Sequence, residues 1–293
     1  MRLLLKWLVL LWPLAGLAKP LEVFVSVLPP ATFLAKVGGE HVKVEALTRP
    51  GQSPETFEPT PQQVADLAHA DLFIGVGMPF EQAWMPRLQA ANPRMEVMDA
   101  REGMVLLPLI PHGHEEDQDP ADPVHQTDAA GDPHLWTSPL LVARMSANIR
   151  DTLTALDPPH AEDYARNQAQ FAAELEALDR DIRAQLQDLP TRKFLVFHPA
   201  WGYFAQAYEL TQVPIEQGGK EPGARTLVAL IEQAKRDGIR VVFTQPQSDP
   251  RFAEQIAHAI GGEVITIDPL ALDYVANLRA MARKLAMATK PKP

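Results

Sequence analysis

Two hydrophobic patterns alternate along most of this chain. Short apolar or β-branched runs at 21–27 (LEVFVSV), 42–46, 71–76 (DLFIGV), 95–98 and 105–107 predict strands in the first half. Segments at 30–37, 61–68 and 80–91 carry helical spacing between them, and Thr60 before Pro61 supplies a cap and a first-turn proline. The second half repeats the alternation, with strands at 194–197, 213–215, 241–244 and 264–267 and helices at 201–208, 225–237, 251–260 and 273–287. Strands that alternate with helices predict parallel sheets, so the fold class is α/β.

The middle of the chain reads differently. A helix is predicted at 139–156, and a second opens at Asp157-Pro158 with an apolar stripe of Phe171, Leu175, Leu178, Ile182, Leu186 and Leu189. A helix of about 30 residues is roughly 45 Å long, more than one lobe needs. It is best explained as a rigid strut between two α/β lobes. The organisation expected is a leader at 1–18, an N-terminal lobe at 19–157, a connecting helix at 158–189 and a C-terminal lobe at 190–293.

Residues 1–18 have Arg2 and Lys6, an apolar run and small residues before Lys19, the form of a cleavable export signal. The formal charge of −10, more negative once Arg2 and Lys6 leave, argues against nucleic acid and anionic membranes as partners. The chain has no cysteine, which removes disulfides, thiolate metal sites and the usual lipoprotein anchor. An exported, unanchored protein of a Gram-negative periplasm is expected.

One stretch is almost free of large apolar side chains. From His112 to Trp136 it packs four of the nine histidines and seven acidic residues into 25 positions. It is a loop, and imidazoles mixed with carboxylates point to a divalent cation. Its last histidine, His134, stands in the ordered-looking motif Asp132-Pro-His-Leu-Trp136. Two further candidates, His198 and Asp268, fall at the ends of predicted strands, where open α/β sheets bind ligands. His41, His69, His160 and His258 lie away from such motifs and read as surface or packing residues, and Trp201, Tyr203 and Phe204 as core.

The order of motifs resembles a known family. Pro50-Gly-x-x-Pro54-x-x-Phe57-x-Pro59-x-Pro61, Ala70-Asp71-Leu72, Asp132-Pro-His-Leu-Trp136, Phe197-His198-Pro-Ala-Trp-Gly-Tyr-Phe204, Gly219-Lys-Glu-Pro222, Pro246-Gln247 and Ile267-Asp268-Pro-Leu270 are similar to the substrate-binding proteins of zinc and manganese ABC importers, the ZnuA/TroA-like group. The resemblance covers nearly the whole chain after residue 18. It implies two lobes, a long connecting helix with little bending, and one metal ion held in the cleft between the lobes by four side chains.

Carried onto this sequence, those ligands are Glu55, His134, His198 and Asp268. Zinc members have a histidine where Glu55 stands, and an acidic residue where Gln245 stands before Pro246-Gln247. Two imidazoles and two carboxylates suit Zn2+ and also Mn2+ or Fe2+. The histidine-rich loop and His198 favour zinc, with His112, His114 and His125 as accessory capture groups. The expected function is delivery of the ion, by a monomer, to an ABC importer permease, with affinity falling below about pH 6 as the histidines protonate. A secreted metallohydrolase with Glu55 as its base, or an adhesin or metal buffer without a transporter, are the alternatives. No HExxH helix or phosphate-cradling glycine loop supports an enzyme.

Overall fold

The computed structural model describes residues 19–108, 131–216 and 219–289. The leader and the loop histidines His112, His114 and His125 lie outside them. Two four-stranded parallel sheets form. The first contains β1 (Leu21–Val25), β2 (Val42–Ala46), β3 (Leu72–Gly75) and β4 (Glu96–Asp99) in the order β2-β1-β3-β4. The second contains β5 (Lys193–Val196), β6 (Thr211–Pro214), β7 (Val241–Thr244) and β8 (Glu263–Thr266) in the order β6-β5-β7-β8. The two halves thus use the same winding, and each reverses direction beside its first strand, where a ligand crevice opens.

Helices α1 (Leu28–Gly38), α2 (Pro61–Leu67) and α3 (Pro79–Ala91) serve the first sheet. Thr60 and Gln63 form a reciprocal capping box that starts α2. Helix α4 (Pro139–Leu156) leads to the connector α5 (Ala161–Gln185), and α6 (Gly202–Ala207), α7 (Ala224–Arg236), α8 (Pro250–Ala259) and α9 (Tyr274–Ala288) follow. The connector is shorter than the predicted 158–189. Pro158 to His160 make a separate 3-10 turn ahead of the helix, which stops at Gln185. Its 25 residues still span about 37 Å.

The predicted strand at 105–107 does not form. Leu107 spends its backbone groups elsewhere: its N–H donates to the Tyr203 hydroxyl at 2.9 Å and its carbonyl accepts from Asp132 N at 2.8 Å.

One apolar core runs through both lobes. Phe171, Leu175, Leu178 and Ile182 of α5 are buried in it, and α5 packs against α1, α4 and α9. Phe33 of α1 lies tilted against Phe171 at 6.0 Å between ring centroids and meets Tyr274 of α9 edge-on at 4.9 Å, so three helices from both halves share one contact. Strand periodicity splits the second sheet's faces. Phe194 and Val196 join the shared core, whereas Leu195 and Phe197 enter a separate cluster on the outer face. A core shared across the interface resists hinge bending, because close-packed interiors do not deform smoothly.

Candidate metal centre

The site is assembled from loops at the carboxyl ends of strands. The loop after β2 carries Glu55. Gln63 ties its start by donating to Leu47 O at 2.7 Å, and buried Phe57, edge-on to Phe80 at 4.9 Å, anchors it two residues beyond Glu55. His134 follows Asp132, whose Oδ1 accepts both the His134 backbone N–H at 2.9 Å and its Nδ1 at 2.7 Å. A single carboxylate oxygen therefore fixes both the turn and the ring. Nε2 of His134 is left to bind.

Contacts from the other lobe brace this turn. Tyr203 donates to Asp132 O at 2.7 Å while accepting from Leu107, so its hydroxyl joins residues on either side of the histidine-rich loop. The Trp136 indole donates to Pro269 O at 2.8 Å, linking the His134 segment to the Asp268 segment. At Gly202 an added Cβ would lie 3.0 Å from Asp132 Oδ2, so the close approach favours glycine.

His198 follows β5. Its Nδ1 donates to Glu216 Oε2 at 2.9 Å, and its Nε2 lies 2.8 Å from Glu55 Oε1 across the cleft. Burial alone would push the imidazole pKa down, but the two carboxylates outweigh it and hold His198 up to about 9. Burial likewise raises Glu55, yet the neighbouring His198 and His134 bring it below its ordinary value. At neutral pH the pair is an imidazolium and a carboxylate. The two carboxylates favour a protonated His198, and the proton on its Nε2, directed at Glu55, occupies the nitrogen a cation would need, so acid opposes metal binding here.

Ligand atoms of Glu55, His134 and His198 lie within 4.8 Å of one another, the one such cluster among the described residues. The His134 and His198 rings are 5.4 Å apart between centroids. Asp268, at the end of β8, is not in this cluster. Its Oδ1 accepts from Leu270 N at 2.9 Å and Gln247 Nε2 at 3.2 Å, and Asn277 donates to its carbonyl at 2.6 Å. Two imidazole nitrogens and a carboxylate, each histidine backed by a second carboxylate, are the donor set of a divalent transition metal site.

Sequence reasoning missed Glu216. It stands just past β6, a strand-end position of the same kind as His198 and Asp268, and that placement was the available signal. Asp132 and Tyr203 belonged to recognised motifs, but their bracing roles depend on contacts that spacing does not reveal. His41 and His160, read as packing residues, stack on each other at 3.8 Å with Asp163 and Asp157 on their outer nitrogens.

The family described as zinc-uptake complex component A, periplasmic (ZnuA), matches residues 23–288. The chain belongs to this family. It is 28% identical over 255 residues to the high-affinity zinc uptake system protein ZnuA of Bacillus subtilis, covering 85% of this chain and 78% of that one. Zinc-binding protein AdcA of Streptococcus pyogenes is 26% identical over 261 residues, and the chain spans about half of AdcA's length. Among solved structures, a ZnuA deletion mutant with zinc bound superposes with a TM-score of 0.85 at 40% identity, covering 94% of this chain and all of that one. The superposition over nearly the whole chain shows the same two-sheet α/β fold.

Proposed function

We propose that this protein captures Zn2+ in the periplasm between its two lobes and hands it to the membrane permease of an ABC importer. The observation that carries the reading is the convergence of Glu55, His134 and His198 from both lobes within 4.8 Å. Asp268 completes the set as fourth ligand, giving two nitrogen and two oxygen donors suited to tetrahedral zinc. The chain acts as an unanchored monomer exported by a cleaved leader, in a Gram-negative cell. On this reading the protein is a binding protein, with Glu55 serving as a ligand and not as a general base.

Two chemical features support an ion that can be released. The site's ligands come from loops, which adjust more easily than strands. The Glu55–His198 pair at 2.8 Å also offers each ligand a protein partner that can exchange with a bound cation. A second reading, Mn2+ or Fe2+ as cargo, is favoured by Glu55 itself, since carboxylate oxygen suits harder ions. Competition among zinc, manganese and ferrous iron on protein stripped of metal separates the two. Zinc bound tighter than about 1 µM and in preference to the others is expected, and a preference for manganese would reverse the assignment.

A further inference from the structure

The Asp268 carboxylate is held through one of its two oxygens. Both hydrogen bonds to its carboxylate fall on the same oxygen: Oδ1 accepts from the Leu270 backbone at 2.9 Å and from the Gln247 amide at 3.2 Å. No hydrogen bond reaches Oδ2 among the described residues. The backbone is fixed as well, through Asn277 on the Asp268 carbonyl at 2.6 Å. The side chain therefore has one committed oxygen and one free.

Gln247 keeps this arrangement at a cost to itself. Its Oε1 is buried and receives no donor from the protein, an expense that a leucine or methionine there would avoid. The amide cannot simply be turned over, since Oε1 would then face the Asp268 carboxylate. The compensating interaction is the bond to Asp268 Oδ1. Gln247 stands just beyond β7, next to β8 in the sheet, so it reaches Asp268 from the neighbouring strand end.

We propose that Gln247 is a positioning residue that sets metal preference by confining Asp268 to one ligating oxygen. The inference rests on the reading of Asp268 as the fourth ligand. With Oδ1 occupied, Asp268 binds through Oδ2 alone, and the four side chains give a four-coordinate site, the number zinc favours. Manganese takes more oxygen donors and gains from a bidentate carboxylate, which here would require stripping hydrogen bonds from Oδ1. The device offsets the manganese-like character that Glu55 brings to the ligand set.

The test uses Gln247→Leu and Gln247→Met, both lacking the donor, with Asp268→Ala alongside. Zinc and manganese dissociation constants are measured by competition, and cobalt(II) is bound as a spectroscopic probe of coordination number. Both Gln247 variants should narrow the preference for zinc over manganese by about tenfold, within the range typical of lost supporting contacts. The intense visible band of four-coordinate cobalt should weaken as a fifth donor enters. A preference that stays within about twofold of wild type in both variants, with the band unchanged, overturns the proposal. If Asp268→Ala lowers zinc affinity while the Gln247 variants are silent, this inference alone fails. If Asp268→Ala changes neither affinity nor band, Asp268 is not a ligand and both readings fall.

Discussion

The two histidines of the cleft are prepared for the same task by different means. His134 is set by its own loop, with Asp132 two residues earlier holding both its backbone and its ring. His198 is set by topology and by the opposite lobe: Glu216 comes from the adjacent strand end, and Glu55 reaches across the cleft. One half of the site is thus arranged before any ion arrives. The other is closed on itself by an ion pair that, on the proposed function, a bound cation must replace.

The largest expected effects come from removing either imidazole. His134→Ala and His198→Ala should each weaken zinc binding by more than the roughly 10- to 100-fold typical of losing a supporting partner. They should differ in pH dependence. With His198 held up to about 9, its proton competes with the metal, so apparent affinity rises about tenfold per pH unit toward pH 9 and levels above it. His134→Ala should keep that slope, and residual binding by His198→Ala should lose it. Titrations across this range check the contrast, and identical slopes would erase the distinction between the halves.

Next in size are the supporting carboxylates. Asp132→Asn and Glu216→Gln should each cost about 10- to 100-fold in affinity. Only Glu216→Gln should also move the plateau to lower pH, because one of the two groups that raise His198 is then neutral. Competition with a chelator at several pH values reads both effects. The smallest expected change is in selectivity: Glu55→His exchanges an oxygen donor for nitrogen and should shift preference from manganese toward zinc, whereas an unaltered ratio would remove Glu55 from the ligand set.

The same contrast explains what could be read from sequence. His134 was legible because its motif is local, written in five consecutive residues, whereas the hold of Asp132 on its backbone and ring shows only in the contacts. Helix starts such as Thr60-Pro61 were legible for the same reason. Glu216 was not, because its partner lies eighteen positions away in sequence and beside it only in the β6-β5 order of the sheet. The strand expected at 105–107 failed on a similar ground: its apolar pattern was real, but the Tyr203 hydroxyl and Asp132 had claimed the backbone of Leu107. The connecting helix was legible from its stripe, but its ends were not: the chain turns at Pro158–His160 before the helix begins and the helix stops at Gln185, short of Leu189. Asp268, like His198, was marked by its place at a strand end, whereas Glu55 was singled out only through the family resemblance, because local pattern gave it no distinction from other loop carboxylates.

The most direct test of the account is calorimetric titration of the metal-free protein with zinc near neutral pH, in two buffers of different ionisation enthalpy. A site built as described binds one zinc tighter than about 1 µM and releases about one proton, the one held between His198 and Glu55. Binding weaker than that, or tight binding with no proton released, would contradict it.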